Sequence, residues 1–281
     1  MIVAIFPNAF KKTAKNLSLG IREFFINHGA TVVVDDAEAK ALDAQPLSSI
    51  DPKEIDFLIS MGGDGTILHL IHRFPELDIP IVGINLGHLG FMADVPISDI
   101  YPSLQDLING TYKIEQRMMM KGKTLSSDSC FAVNEMVVHR AKNPNLIELS
   151  IHVDGTYLNT FAADGIIVAT PGGSTAYSMA AGGPILVPEL EAFVLTPISP
   201  HTISNRPIVL MPHQEIQIQY LSDHDPVEIA FDGISRHNLQ TGEVFHISKS
   251  PRYFRLVNFL RRDYYSTLRS KLGWAGGKIR Q

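Results

Sequence analysis

The first 110 residues alternate short apolar runs with stretches whose apolar positions recur every three or four residues. Ile2–Phe6 is an unbroken apolar run and predicts a strand. After it, Leu17, Ile21, Phe24 and Phe25 fall on one helical face, with Asn8 as the cap and Gly29 as the stop. Thr31–Val34 predicts a second strand. Ile55–Ser60 predicts a third, followed by a helix near Ile67–Phe74, and Ile79–Ile84 a fourth. Ser98 is placed to cap a further helix that ends before Gly110. Such alternation predicts a mostly parallel sheet with helices on its faces. The first strand-to-helix turn, Pro7-Asn8-Ala9-Phe10, lacks G-x-G-x-x-G, so the Rossmann dinucleotide fingerprint is absent.

From about Thr111 the period drops to two. Leu149, Ile151 and Val153 alternate with Ser150 and His152, and Asp154-Gly155 then signals a hairpin. Ile216, Ile218 and Tyr220 repeat the pattern, and Val227–Phe231 and Val244–Ile247 predict further strands. This region reads as an all-β domain. The last thirty residues, with Phe254, Leu256, Phe259, Leu260 and Leu268, return to mixed helical spacing.

Composition narrows the picture. The chain has 281 residues, 45% hydrophobic and 19% charged, enough for two domains with real cores. A net charge of −5 argues against a general nucleic-acid binder. The charge is uneven: eight of the 24 basic residues and one of the 29 acids fall from Arg252 onward, which makes the tail +7 and the rest −12. Such a tail either docks on the acidic body or near phosphates, or is a solvated helix face. Cys130 is the only cysteine, so no intramolecular disulfide forms. No leader-like segment is visible and no apolar run approaches the ~20 residues of a membrane span, which predicts a cytoplasmic protein.

Three stretches carry candidate chemistry. Met61-Gly62-Gly63-Asp64-Gly65-Thr66 follows the third strand. Glycines let a ligand approach the backbone, and N–H groups beside a helix start suit phosphate oxygens. A carboxylate there would repel phosphate unless it holds a metal or accepts a proton from a hydroxyl attacking phosphorus. Phosphoryl transfer is the chemistry this implies. Asn134-Glu135 opens the apolar run Met136-Val137-Val138. The pair could read an adenine edge and grip ribose hydroxyls, or be a solvated polar pair at a strand start. In the third stretch, Asp164 precedes the run Gly165–Ala169. A Gly172-Gly173 turn then leads into a short helix, capped by Ser174 or Thr175 and stopped at Gly182-Gly183. That arrangement suits a flat base against backbone, or is a tight connection with nothing bound. His69 and His72 lie three apart on a predicted helix with no third ligand nearby, and read as surface or satisfied histidines. Met118–Met120 reads as packing.

These stretches, together with Gly83-Ile84-Asn85-Leu86-Gly87-His88-Leu89-Gly90-Phe91, Asp232-Gly233 and Leu268–Trp274, resemble the NAD kinases over nearly the whole chain. That family comprises the ATP- or polyphosphate-dependent NAD 2′-phosphotransferases. The resemblance implies an α/β N-terminal domain over 1–110 and an all-β sandwich over 111–251. It further implies a segment over 252–281 that packs back on the first domain, and a site in the interdomain cleft. The implied reaction moves the terminal phosphoryl group of ATP or polyphosphate to the 2′-hydroxyl of the adenosine ribose of NAD. Asp64 is then the catalytic base, and Gly62, Gly63 and Gly65 approach the phosphates. Asn134 and Glu135 hold the adenosine, with Glu135 also a metal ligand. Asp164, Thr175, Ala176, Tyr177, Ser178, Met179 and Ala180 line the dinucleotide site. A divalent cation, Mg²⁺, is implied, as are NAD and ATP as partners and a homodimer or homotetramer, with no nucleic acid and no membrane. Three positions depart from the family pattern: Gly172 stands where threonine is usual, Ala162 where arginine is frequent, and Ile234 where glutamine is frequent. Two other readings fit parts of the chain. A lipid kinase with the same glycine–aspartate turn explains Asp64 but not Asn134-Glu135 or the Asp164 block. A non-catalytic NADP(H)-binding regulator is motivated by the three departures but opposed by the intact Asp64.

Overall fold

Every residue of Phe57–Gly62 and of Ile81–Asn85 is buried, which is why both are mostly apolar without alternation: each lies in a sheet covered on both faces. The computed structural model describes residues 1–8, 12–124, 129–202 and 204–274. The chain forms two units, one of Met1–Gln116 with the chain from Arg255 onward, the other of Arg117–Phe254.

The first unit runs β1 (Ile2–Pro7), α1 (Lys12–Asn27), β2 (Thr31–Val34), α2 (Ala39–Leu42), β3 (Gln45–Pro46), β4 (Phe57–Gly62), α3 (Asp64–Arg73), β5 (Ile81–Asn85), β6 (Val95–Pro96) and α4 (Ile100–Asn109). Its strands are parallel in the order β3-β2-β1-β4-β5, with Ile5 opposite both Val34 and Ile59, and Ser60 opposite Gly83. The parallel sheet with helices is the class that the alternation predicts. Turns after β4 and β5 lie at the carboxyl ends of parallel strands, where open α/β sheets bind ligands.

Local details differ from expectation for identifiable reasons. Helix α3 begins at Asp64, ahead of Ile67, because Gly63 in extended backbone serves as its cap and donates its N–H to Thr66 Oγ1 at 3.3 Å. Ser98 does not cap α4. A 3₁₀ turn over Ile97–Asp99 precedes that helix, and the Ser98 hydroxyl bonds Asp99 Oδ1 at 2.8 Å. The expected Asn8 cap of α1 adjoins Ala9, Phe10 and Lys11, which lie outside the described residues.

The second unit continues with β7 (Lys113–Lys123), which starts in the first unit, β8 (Cys130–Ala132), β9 (Glu135–His139), β10 (Ile147–Val153), β11 (Thr156–Ala163), β12 (Gly165–Ala169), α5 (Tyr177–Ala180), β13 (Phe193–Ile198), β14 (Ile208–Leu210), β15 (Ile216–Tyr220), β16 (Val227–Phe231), β17 (Ser235–Leu239) and β18 (Val244–Asn258), the end of which enters the first unit. One antiparallel sheet has the order β14-β13-β12-β9-β16-β17, and β11-β10-β15-β18 form the other. Their facing sides share one core, in which Leu149, Ile166, Phe193, Tyr220, Phe231 and Phe245 are fully or almost fully buried. Met118–Met120 pack there or nearby, as their apolar run implies. Strands β9, β12 and β13 are buried on their second face too, where Val137, Ile167 and Val194 meet Leu186 and Ala192. Both-sided burial explains why Met136–Val138 and Ile166–Ala169 show no alternation. Cys130 is half-buried, with its thiol donating to the Gly122 carbonyl at 3.2 Å, and burial pushes that thiol up to about 12.

Residues past Arg255 complete the first unit. Leu256 pairs in parallel with Ile81, and Val257 and Phe259 join the core of Ile5, Ile21, Ile59 and Val82. The last helix, α6 (Tyr264–Leu272), follows, capped by Asp263 on Ser266 N–H at 2.8 Å and ended by Gly273 at φ 66. Phe259→Ala should therefore cost about 3–5 kcal/mol, read as a lower urea midpoint. An unchanged midpoint would show that the segment is not part of this core.

Candidate active site

In the first unit the candidate residues gather where β4 and β5 end. Asp64, the first residue of α3, turns its carboxylate onto the loop after β5: Oδ2 accepts from Phe91 N at 2.8 Å, and Oδ1 from Met92 N at 3.0 Å and Ala93 N at 2.8 Å. Close approach needs Gly90, since a Cβ there would lie 1.9 Å from Asp64 Oδ1. Asn85 pins the same loop from inside: its amide donates to the carbonyls of His88 and Ala93 and accepts from Gly87 N at 2.7 Å. Gly62 is equally constrained, because a Cβ would meet Thr66 Oγ1 at 2.1 Å. At Gly63 and Gly65 a Cβ would meet nothing within 4 Å, so the backbone there borders open space.

In the second unit Asn134 and Glu135 enter the central strand β9. Their backbone is held by Asp232, whose carboxylate accepts from Val133 N at 2.8 Å, Asn134 N at 2.7 Å and Glu135 N at 3.1 Å. Thr170 donates its hydroxyl to the Val133 carbonyl at 2.7 Å, and Gly173 packs so tightly that a Cβ would lie 2.1 Å from the Asn134 carbonyl oxygen. The side chains so placed are poorly satisfied. Asn134 Oδ1 and Glu135 Oε2 are buried without a hydrogen-bond partner among the described residues. Burial, with the negative charge of Asp232 second, pushes the Glu135 carboxyl up to about 8. Buried polar groups left unpaired are costly, so these two oxygens call for a partner that the described residues do not supply.

Glu135 lines a cavity of about 380 Å³ that also takes in His139, Arg140, Asp164 and Tyr177. Asp164 is paired with Arg140, Nε to Oδ1 at 2.8 Å, and His139 with Glu228 at 2.9 Å. Ala162 stands where the family often has arginine, yet a guanidinium reaches Asp164 from Arg140. Spacing shows neither this pair nor the grip of Asp232, whose only local sign is an Asp-Gly dipeptide.

The Thr175–Ala180 stretch is less uniform than expected. One 3₁₀ turn over Gly172–Thr175 breaks at Ala176 before the four-residue α5. Neither Ser174 nor Thr175 caps a helix. Ser174 Oγ donates to the Pro171 carbonyl and accepts from Leu186 N at 2.9 Å, while Thr175 Oγ1 turns to the Gly172 carbonyl at 3.2 Å. Ser178 is fully buried, its hydroxyl sharing a 3.0 Å bond with Thr196. Tyr177 is exposed and borders the cavity, Ala180 is exposed, and Ala176 and Met179 are half-buried. His69 is exposed and His72 half-buried, and no group of three or more His, Cys, Asp or Glu side chains suited to a metal ion occurs among the described residues. No helix among them is long and apolar enough to cross a membrane.

The α/β unit thus offers a carboxylate in a glycine turn, and the β unit a cavity bordered by Glu135, Asp164 and Tyr177. Comparison with known proteins makes this specific. Residues 3–112 match the ATP-NAD kinase N-terminal domain and residues 133–259 the ATP-NAD kinase C-terminal domain. A NAD kinase from Protochlamydia amoebophila is 57% identical over 275 residues, 98% of this chain and 99% of the relative. One from Moorella thermoacetica is 34% identical over 98% of this chain and 90% of the relative. Among solved structures, yeast NADH kinase complexed with NADH has a TM-score of 0.87 at 25% identity, covering 100% of this chain and 90% of its own. An NAD kinase from Archaeoglobus fulgidus in complex with ATP has a TM-score of 0.78 at 26% identity, covering 96% and 99%. The chain belongs to the NAD kinase family, phosphotransferases of class EC 2.7.1.23 that use ATP to phosphorylate NAD. The lipid-kinase and regulator readings fall away.

Two predictions follow from the second unit. Gly172 is not in the left-handed region, and its Cβ would sit 3.5 Å from Thr170 Oγ1 and 3.7 Å from Asn134 Oδ1. Gly172→Ser should raise the melting temperature by the equivalent of about 0.4–1 kcal/mol, its hydroxyl being within reach of the orphan oxygen; a lower temperature would mean that the turn tolerates no side chain. Glu135 concerns pH. Its unfolded value is 4.5 and its folded value about 8, so the native state holds a proton that the unfolded chain loses across that window. Stability therefore falls as pH rises from 4.5 to 8. Thermal melts should show a shallower decline in Glu135→Gln; parallel curves would rule out the buried proton.

Proposed function

We propose that Asp64 accepts the proton of the 2′-hydroxyl on the adenosine ribose of NAD as that oxygen attacks the terminal phosphorus of ATP. The 2′-oxygen–phosphorus bond forms, the bridging oxygen–phosphorus bond breaks, and ADP leaves. The observation that carries this reading is the asymmetric binding of the Asp64 carboxylate. Oδ1 takes two N–H donors and Oδ2 takes one. A carboxylate has about four acceptor directions, so Oδ2 keeps one for a substrate hydroxyl. Gly62, Gly63 and Gly65 bring backbone to the phosphates.

Asn134 and Glu135 hold the adenosine part, the orphan Oδ1 of Asn134 taking one of its donors. Asp164, fixed by Arg140, and Tyr177 border the dinucleotide with Thr175, Ala176, Met179 and Ala180. Ser178, buried and bonded to Thr196, supports that segment from behind.

A divalent cation, Mg²⁺, would neutralise charge on the transferring phosphates. Mg²⁺ keeps several waters and takes only one or two protein carboxylates beside substrate phosphate, so a dedicated cage is not required. Glu135 fits that demand, with one unpartnered oxygen that ionises once a positive charge is near. Polyphosphate would serve as donor through the same phosphate contacts. The exposed Tyr157 and Leu158 on the edge strand β11 support a homodimer or homotetramer, and a cytoplasmic setting suits ATP and NAD as substrates.

The test is Asp64→Asn, which keeps shape and removes basicity. With NAD, ATP and Mg²⁺ in a coupled assay, kcat should fall at least ~10²-fold with little change in KM for NAD. Wild-type turnover would remove Asp64 from the proton transfer.

A further inference from the structure

The loop that orients Asp64 is itself held by α6. Phe91, whose N–H meets Asp64 Oδ2, presents its ring to α6: the Tyr264 ring lies 5.8 Å away, centroid to centroid, and the Lys271 ammonium 5.3 Å from the Phe91 centroid. Helix α6 is no loose arm. Thr267 and Leu268 are buried, both ends are capped, and just before it Phe259 enters the core and Arg261 pairs with Asp106 of α4. Tyr264 and Lys271 are seven residues apart, two helical turns, so both fall on one face of α6. That face carries the ring and the cation that meet Phe91.

We propose that Tyr264 and Lys271 are positioning residues for the phosphoryl transfer: by gripping the Phe91 ring they fix the Phe91–Ala93 N–H groups, and so the direction in which Asp64 presents Oδ2. The proposal rests on Asp64 as the proton acceptor. Asn85 holds the interior of the loop through the carbonyls of His88 and Ala93, and Asp64 holds its N–H groups. The aromatic ring of Phe91 is where α6 adds its own hold, through Tyr264 and Lys271. Losing that support lets the Phe91 N–H swing, and a carboxylate with a loosened donor no longer has one defined open direction.

The experiment uses the full chain and two readouts. In Tyr264→Ala, kcat should fall about ten- to a hundred-fold, the scale of a small misplacement at a reacting group, while KM for NAD stays within about twofold. The amide protons of Phe91, Met92 and Ala93 should exchange with solvent about tenfold faster or more, because their opening becomes local. Tyr264→Phe keeps the ring and should restore both. Lys271→Met removes only an exposed ammonium, so it keeps the test open should Tyr264→Ala fail to fold; it should shift both readouts the same way by less, with rescue in Lys271→Arg. Wild-type kcat, or a fall in kcat without faster exchange at these three amides, would overturn the proposal. Asp64→Asn separates the two ideas. If that variant turns over normally, the acceptor role fails whatever α6 does. If it is inactive while Tyr264→Ala and Lys271→Met behave as wild type, the role of α6 fails alone.

Discussion

A sheltered backbone N–H that neither helix nor strand satisfies must find another acceptor, and two aspartates meet that demand three at a time. Asp64 collects the N–H groups of Phe91, Met92 and Ala93; Asp232 collects those of Val133, Asn134 and Glu135. An unpaired buried donor costs about 1–3 kcal/mol, so each carboxylate dictates the path of a segment that regular secondary structure leaves undetermined. The groups proposed to do chemistry sit on or against those two segments. Asp64 shapes its loop as acceptor and is also the group proposed to react; Asp232 is the support beneath Asn134 and Glu135.

This division explains what is legible in the sequence and what is not. Burial on both faces makes β4, β5, β9 and β12 mostly apolar without alternation, and the alternation of Leu149 and Ile151 marks the facing sheet, so both layers are visible as patterns. Gly62, Gly63, Asp64 and Gly65 stand out because a turn with one acid and little else is unusual. Asp232 is different: its partners lie 97 to 99 positions away, and no spacing rule reaches that far. Arg140 likewise meets Asp164 only because β9 and β12 pair side by side. Ser174 and Ser98 fit a capping pattern, but Ser174 bonds Pro171 and Leu186 instead, and Ser98 bonds the side chain of its neighbour Asp99. The general rule is that apolar periodicity records local burial, whereas polar satisfaction is decided by the whole fold.

The tail shows how charge and burial divide the work. Its cations do find acids in the first unit, Arg255 with Asp78 and Arg261 with Asp106. Exposed pairs of this kind contribute about 0–1 kcal/mol each. Burying a side chain such as Val257 or Phe259 is worth about 1.5–3 kcal/mol. The uneven charge along the sequence therefore reports where the segment lies, and the apolar residues hold it there.

Cys130 gives the molecule a further property. A nucleophilic thiol must be a thiolate, and one that keeps its proton up to about 12 supplies almost none at neutral pH. Its sulfur is also tied to the Gly122 carbonyl. The thiol is thus a poor nucleophile at neutral pH, and reagents that select for thiolates find little to attack there.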